Sequence, residues 1–251
     1  MMKIEVLIAA KVSIRSIPTI LKWKKMQIRW VLYCSFLIIS NLLLAQNTTY
    51  PDSLEAALTT VQDEATELDL LNKLFEHFAK VDHDKAQDIA ENIVEKGRAK
   101  NDQKWLAVGY TNRGDILRKK FDYTSSLNAL NEALKIYRIL KDDVGQAKVL
   151  NKIGNTYFSL EDNTKALAYY YDVIKISERI GDIQRAAYAH LNIGLLNTKF
   201  NENKIALEHL LKAQNLFQNA DNGHAMGVVT SRIGTIYHSC LLYTSPSPRD
   251  S

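Results

Sequence analysis

Four glycines recur at an interval of forty residues: Gly114, Gly154, Gly194 and Gly234. Each follows an arginine or isoleucine (Arg113, Ile153, Ile193, Ile233) and lies inside a stretch with helical periodicity. A helix-interior glycine costs about 1 kcal/mol against alanine. Four such costs in one phase imply that something packs where a side chain would stand. A neighbouring helix at close approach is that partner, so the chain is expected to be a helical repeat array. Small residues twelve positions later carry the same period: Ser126, Ala166 and Ala206, with Ala86 in the faint first copy, where Leu74 replaces the glycine.

The third copy shows the unit. Its first helix places Val149, Leu150, Ile153, Gly154 and Tyr157 on one stripe, and its second places Ala166, Leu167, Tyr170, Val173 and Ile174. Steps of three and four define one apolar face per helix. Acidic residues mark the turns within repeats (Asp82, Asp122, Asp162, Glu202), and Asp102, Asp142, Asp182 and Asn222 mark those between repeats. These types at helix starts accept from orphan N–H groups, and Gly181 suits a left-handed helix end. One carboxylate per repeat lacks the dense spacing that calcium loops need.

Charge adds an exclusion. Residues 1–29 hold seven Lys/Arg against one acid, and 240–251 one of each, which leaves 24 against 26 over 30–239. That net charge of −2 offers no clustered basic surface for nucleic acid. Both cysteines, Cys34 and Cys240, fall outside the repeats, so the body has no disulfide framework or zinc-thiolate site. Phosphate-loop, zincin and nucleophile-elbow motifs are missing as well. Asp82-His83-Asp84 is the one dense polar cluster, and its phase places it in a turn. No cofactor, no metal and no catalysis are expected of this stretch of chain.

At the N-terminus, Lys22, Lys24, Lys25 and Arg29 precede an apolar run from Trp30 to Ala45. A basic region, an apolar run and a small residue before polar sequence read as a secretory signal over 26–46, with 1–25 an upstream extension before a better start at Met26. The run is short for a membrane span, which needs about 20 residues. Export to a periplasm follows, with membrane attachment only through an uncleaved signal or a downstream segment. Residues 47–65 read as an N-terminal capping helix, 66–239 as the array of about four and a half repeats, and 240–251 as foreign. That tail, Cys240 to Ser251, resembles the translation of a transposase-type sequencing adapter, so the natural chain is expected to continue past Ser239.

Small residues at the glycine and alanine positions, aromatics three after a glycine (Tyr157, Tyr237) and small residues at Ala133 and Ala213 resemble the tetratricopeptide repeat (TPR). The period of forty and the lack of a repeat-ending proline are similar to the kinesin light chain variant, and the Leu-Leu-Leu-Ala-Gln signal end resembles those of Bacteroidetes. The resemblance implies an all-α, right-handed α-solenoid of antiparallel helix pairs, truncated at its C-terminus. It also implies a protein- or peptide-binding groove lined by the first helix of each pair. Counted from the glycines, the groove positions are Thr111, Asp115 and Arg118, then Asn151, Asn155 and Phe158. Leu191, Leu195 and Thr198 follow, then Ser231, Thr235 and His238. Asn151 and Asn155, with donor and acceptor each, suit an extended peptide backbone. By the same resemblance the chain is the sensory or interaction region of a larger signalling protein. The alternatives are a fragment of a sensor histidine kinase or nucleotide cyclase, and a free periplasmic assembly factor.

Overall fold

The structure, a computed structural model, describes residues 51–244, with side chains through 238. The expected signal over 26–46 and most of the 240–251 tail lie outside those residues. Contacts divide the chain into Met1–Val61 and Gln62–Ser251. In the first unit the described residues form one helix, α1 (51–60), with Pro51 in its first turn, where a missing N–H costs nothing. The second unit is all-helical among the described residues. It runs α2 (Glu64–Val81), α3 (His83–Lys100), α4 (Gln103–Lys119), α5 (Tyr123–Ile139), α6 (Asp143–Ser159), α7 (Asn163–Ile180), α8 (Ile183–Lys199), α9 (Asn203–Asn219) and α10 (Gly223–Thr244). It is an α-solenoid of antiparallel pairs: each helix packs chiefly on its chain neighbours.

The turns explain the regularity, and their true period is twenty. In the turn between α5 and α6, Lys141 sits in the left-handed region at φ 54°. The Asp142 N–H then closes back on the Tyr137 carbonyl at 2.9 Å, ending α5. The carboxylate of the same Asp142 accepts from the Gly145 N–H, starting α6. One aspartate thus caps two helices, each cap contributing about 1 kcal/mol. Asp102, Asp122, Asp162 and Asp182 do the same, and Asn222 accepts from the Ala225 N–H at 3.1 Å. Asp82 accepts from the Asp84 and Lys85 N–H groups, which gives the Asp82-His83-Asp84 cluster its role as a helix start. Glu202 departs from the expectation: it stands at the cap position of α9 but makes no side-chain cap bond. The preferred cap side chains are shorter than glutamate.

The left-handed residue is glycine at only one of these turns, Gly181 (φ 73°); Asn101, Phe121, Lys141, Glu161, Asn201 and Asp221 hold it elsewhere. Left-handed backbone costs a residue with a Cβ about 1–2 kcal/mol. Lys141→Gly is therefore expected to stabilise the protein by about 1 kcal/mol, read as a raised denaturant midpoint at unchanged m-value. An unchanged midpoint would contradict the assignment.

Three of the four periodic glycines sit where helices cross. A Cβ on Gly114 would stand 2.5 Å from Leu130 Cγ, one on Gly154 2.7 Å from Tyr170 Cε1, and one on Gly194 2.7 Å from Leu210 Cγ. Ser126 adds a polar tie at the first crossing, its hydroxyl donating to the Gly114 carbonyl at 2.7 Å. Ala86, Ser126, Ala166 and Ala206 are fully buried. Gly234 departs from the pattern. A Cβ there would meet nothing within 4 Å, because no second helix of its pair follows α10 among the described residues.

Candidate binding groove

Call α2, α4, α6, α8 and α10 the A helices and α3, α5, α7 and α9 the B helices. The backbones of consecutive A helices approach one another closely, whereas those of no two B helices do. The A helices therefore crowd the inner side of the array. Lys148 on α6 feels the carboxylate of Glu76 on α2, two repeats away, as an inward-curving face requires.

A polar ladder crosses this face two residues before each glycine position. Asn112 donates to Asn72 Oδ1 at 2.8 Å. Lys152 pairs with Asp115 Oδ2 at 2.8 Å. Asn192 donates to Asn151 Oδ1 at 3.1 Å and to Asn155 Oδ1 at 3.4 Å. Asn112, Lys152 and Asn192 were not among the expected groove positions, although Asp115, Asn151 and Asn155, the partners of the last two, were. The signal for the three was present: residues 72, 112, 152, 192 and 232 are all Asn, Lys or Arg.

The expected groove residues divide into three groups. Thr111 is 1% exposed and its hydroxyl donates to the Ala107 carbonyl at 2.6 Å. Leu191 is 7% exposed and belongs to the core around Phe217. Neither can touch a ligand, because packing covers the position three before the glycine in these two helices. Asp115, Arg118, Asn151, Asn155, Phe158, Leu195 and Thr198 are half-buried on the A helices, and Ser231, Thr235 and His238 are exposed. Thr198 and Thr235 turn their hydroxyls back onto the Gly194 and Ser231 carbonyls.

The asparagines keep only half of their expected chemistry. The Asn155 carbonyl accepts from Tyr170 Oη at 2.8 Å as well as from Asn192, and the Asn151 carbonyl is taken by Asn192. Their Nδ2 groups have no partner among the described residues, so both present donors; the two bonds to the Asn155 carbonyl fill it, while the Asn151 carbonyl keeps one lone pair. Asn151 also lines a cavity of about 270 Å³ with Asp182, Gln184, Arg185 and Tyr188.

Charge on this face is mostly positive and partly buried. Burial pushes the Asp115 carboxyl upward, but Lys152 and Arg118 outweigh it and hold the pKa at about 2. Arg118 pairs with Asp115 at 3.2 Å and leaves its Nε buried without a hydrogen bond. Burial lowers Lys148, and the nearby Lys152 and Arg185 lower it further. Lys148 makes no ion pair or hydrogen bond among the described residues. Lys119, also lowered by burial, donates to the Ala79 carbonyl at 2.6 Å. The face thus offers an unspent ammonium and two unspent amide donors within one pair of repeats.

An α-solenoid with such an inner face is, as a class, a repeat scaffold. Residues 107–139 and 145–219 match family models described as tetratricopeptide repeat, so the chain carries TPR repeats over those stretches. No curated protein sequence matches the chain. Among solved structures it is similar to BtubC (BKLC) from P. vanneervenii, with TM-score 0.60 and 16% identity over 78% of this chain and 82% of that one. It is similar to a signal transduction ATPase of the STAND type with a tetratricopeptide repeat sensor, PH0952 from Pyrococcus horikoshii. The TM-score there is 0.59 and the identity 19%, over 73% of this chain and 29% of that one. A Rap protein complexed with competence and sporulation factor gives TM-score 0.66 and 15% identity over 77% of this chain and 58% of that one. At these identities the likeness is one of fold. The chain spans most of BtubC but under two thirds of the other two.

Proposed function

We propose that this protein is a non-catalytic scaffold that binds an extended peptide or protein segment along its A-helix face. One observation carries the reading: Lys148 Nζ and the Nδ2 groups of Asn151 and Asn155 point no bond at the protein. A peptide supplies what they lack, backbone carbonyls for the amides and an acidic side chain for the ammonium. The Rap structure solved with competence and sporulation factor supports a ligand-binding role for this architecture.

Panning a displayed library of random peptides on the purified protein tests this. Selected peptides are expected to be enriched in acidic residues and to weaken about tenfold on Lys148→Ala or Asn151→Ala, by fluorescence anisotropy. Selected peptides whose affinity neither substitution changes would overturn the reading.

The wider context belongs to the same proposal. The basic-then-apolar leader supports export, and the repeats are those of the forty-residue type found in kinesin light chains, here from a Bacteroidetes-like source. The described residues contain no helix long and apolar enough to cross a membrane. The STAND-type ATPase with its repeat sensor supports a sensory role in a larger signalling protein. Sequencing the gene beyond the codon for Ser239 tests it: an apolar span followed by a kinase or cyclase domain is expected. A stop codon in that place would favour a free assembly factor.

A further inference from the structure

The outer side of the array carries a second site, and comparison of the repeats with one another exposes it. The residue before each periodic glycine is a core isoleucine in three repeats: Ile153 and Ile193 are fully buried and Ile233 is 8% exposed. In the second repeat it is Arg113, with 37% of its side chain exposed. Across the same helix pair, the position filled by Tyr169 and His209 in later repeats is Ala129. A small residue opens the wall of α5 where an arginine has entered the floor of α4. The result is a cleft of about 680 Å³ between α3, α4 and α5.

Its chemistry is cationic. Arg98 reaches in from α3 and donates through Nη2 to Tyr110 Oη at 3.0 Å. Arg138 stands forty residues later, at the equivalent place on α5. Arg113 and Lys135 are matched by Glu91 and Glu132 at 3.1 and 2.6 Å. Neither Arg98 nor Arg138 is paired with a carboxylate among the described residues. Asn128 adds a side-chain amide to the lining. The later repeats do not repeat the device, since Glu178 and Gln218 hold the next two equivalents of Arg98 and Arg138.

We infer that this cleft binds a small ligand bearing a phosphate or diphosphate group. Two arginines on separate walls need acceptor oxygens on more than one side of the anion. A phosphate's tetrahedral oxygens satisfy both, and each planar guanidinium can engage two of them. A single carboxylate presents its pair to one side only. The volume lies within the range of small-molecule sites. The site is separate from the A-helix groove, so it stands or falls independently of peptide binding.

Titration calorimetry of the full chain with inorganic pyrophosphate and with ADP tests it, at about 50 mM salt where phosphate contacts are least screened. Saturable binding of at least one probe is expected. It should weaken about tenfold or more both in Arg98→Ala/Arg138→Ala and in Ala129→Tyr, which fills the cleft without changing charge. Lys148→Ala on the inner face should leave it unchanged. Pyrophosphate bound as well as ADP assigns the phosphates alone, and ADP bound preferentially assigns an organic phosphate; either supports the site. Silence with both probes, binding indifferent to Ala129→Tyr, or an equal loss in Lys148→Ala would overturn it.

Discussion

Gly97→Ala is expected to destabilise the protein by about 2–3 kcal/mol, whereas Gly234→Ala should stabilise it by up to about 1 kcal/mol. One methyl group is added in each case, so the difference is purely one of surroundings. At Gly97 the new Cβ would stand 2.8 Å from the Leu106 backbone nitrogen, 2.9 Å from Trp105 Cβ and 3.1 Å from the Trp105 carbonyl carbon. Two of those three atoms are main chain, so no rotamer change relieves the clash, and α3 must move away from α4. Trp105 is 2% exposed beneath that crossing and would lose packing with it. At Gly234 the Cβ meets nothing, and alanine gains the ordinary helix preference over glycine. Denaturant melts of the two variants check both signs. Equal effects would mean that the α3–α4 crossing is looser than described.

Gly97 also shows why only part of the fold was legible in the sequence. The crossings within repeats keep their small residue at one position, so Gly114, Gly154 and Gly194 repeat at forty and stand out. The crossings between repeats also conserve volume, but the small residue changes sides. Gly97 meets Trp105 at the first and Gly145 meets the Tyr137 ring at the second. Ser177 with Arg185, and Phe217 with Ala225, hold the same two positions later. A search for one small residue in one phase finds none of these, although each pair is complementary.

The inner face was partly legible for a similar reason. Counting from the glycines placed Asn151 and Asn155 on the A helices, because helical phase fixes direction. It did not show that their carbonyls are taken by Asn192 and Tyr170, since that depends on how far one repeat is rotated against the next. The cap aspartates were readable because capping is local. The second duty of Asp102, Asp122, Asp142, Asp162 and Asp182, closing the preceding helix through the N–H, became visible only with the left-handed residue before each of these five.

Acidification from pH 7 to 4.5 is expected to cost about 2 kcal/mol of stability through one buried pair, His190 and His209. His190 Nδ1 lies 2.9 Å from His209 Nδ1 between α8 and α9, and Tyr171 Oη lies 3.4 Å from His209 Nε2. Both rings are under 10% exposed. Burial, with the neighbouring His209 and Lys212, pushes the His190 pKa down to about 4, only partly opposed by Glu208. Burial and Lys212 lower His209 as well. The unfolded chain therefore binds protons near pH 6.5 that the folded chain refuses until about pH 4. Stability is at its full value above about pH 7 and falls as pH drops through 6.5, flattening near 4. The whole displacement of His190 is worth at most ~3 kcal/mol, and solvent at the rim of the pair brings that to about 2 kcal/mol. Asp115 loses its contribution in a different window, between its unfolded value of 3.8 and about 2, so the two do not overlap. Chemical denaturation at pH 7.5, 6, 5 and 4.5 is expected to show the loss in the native protein and to show less than half of it in His190→Leu. The substitution removes one titrating ring and the repulsion a second proton would meet. A slope unaltered by His190→Leu would assign the acid sensitivity elsewhere and leave the pair as neutral packing.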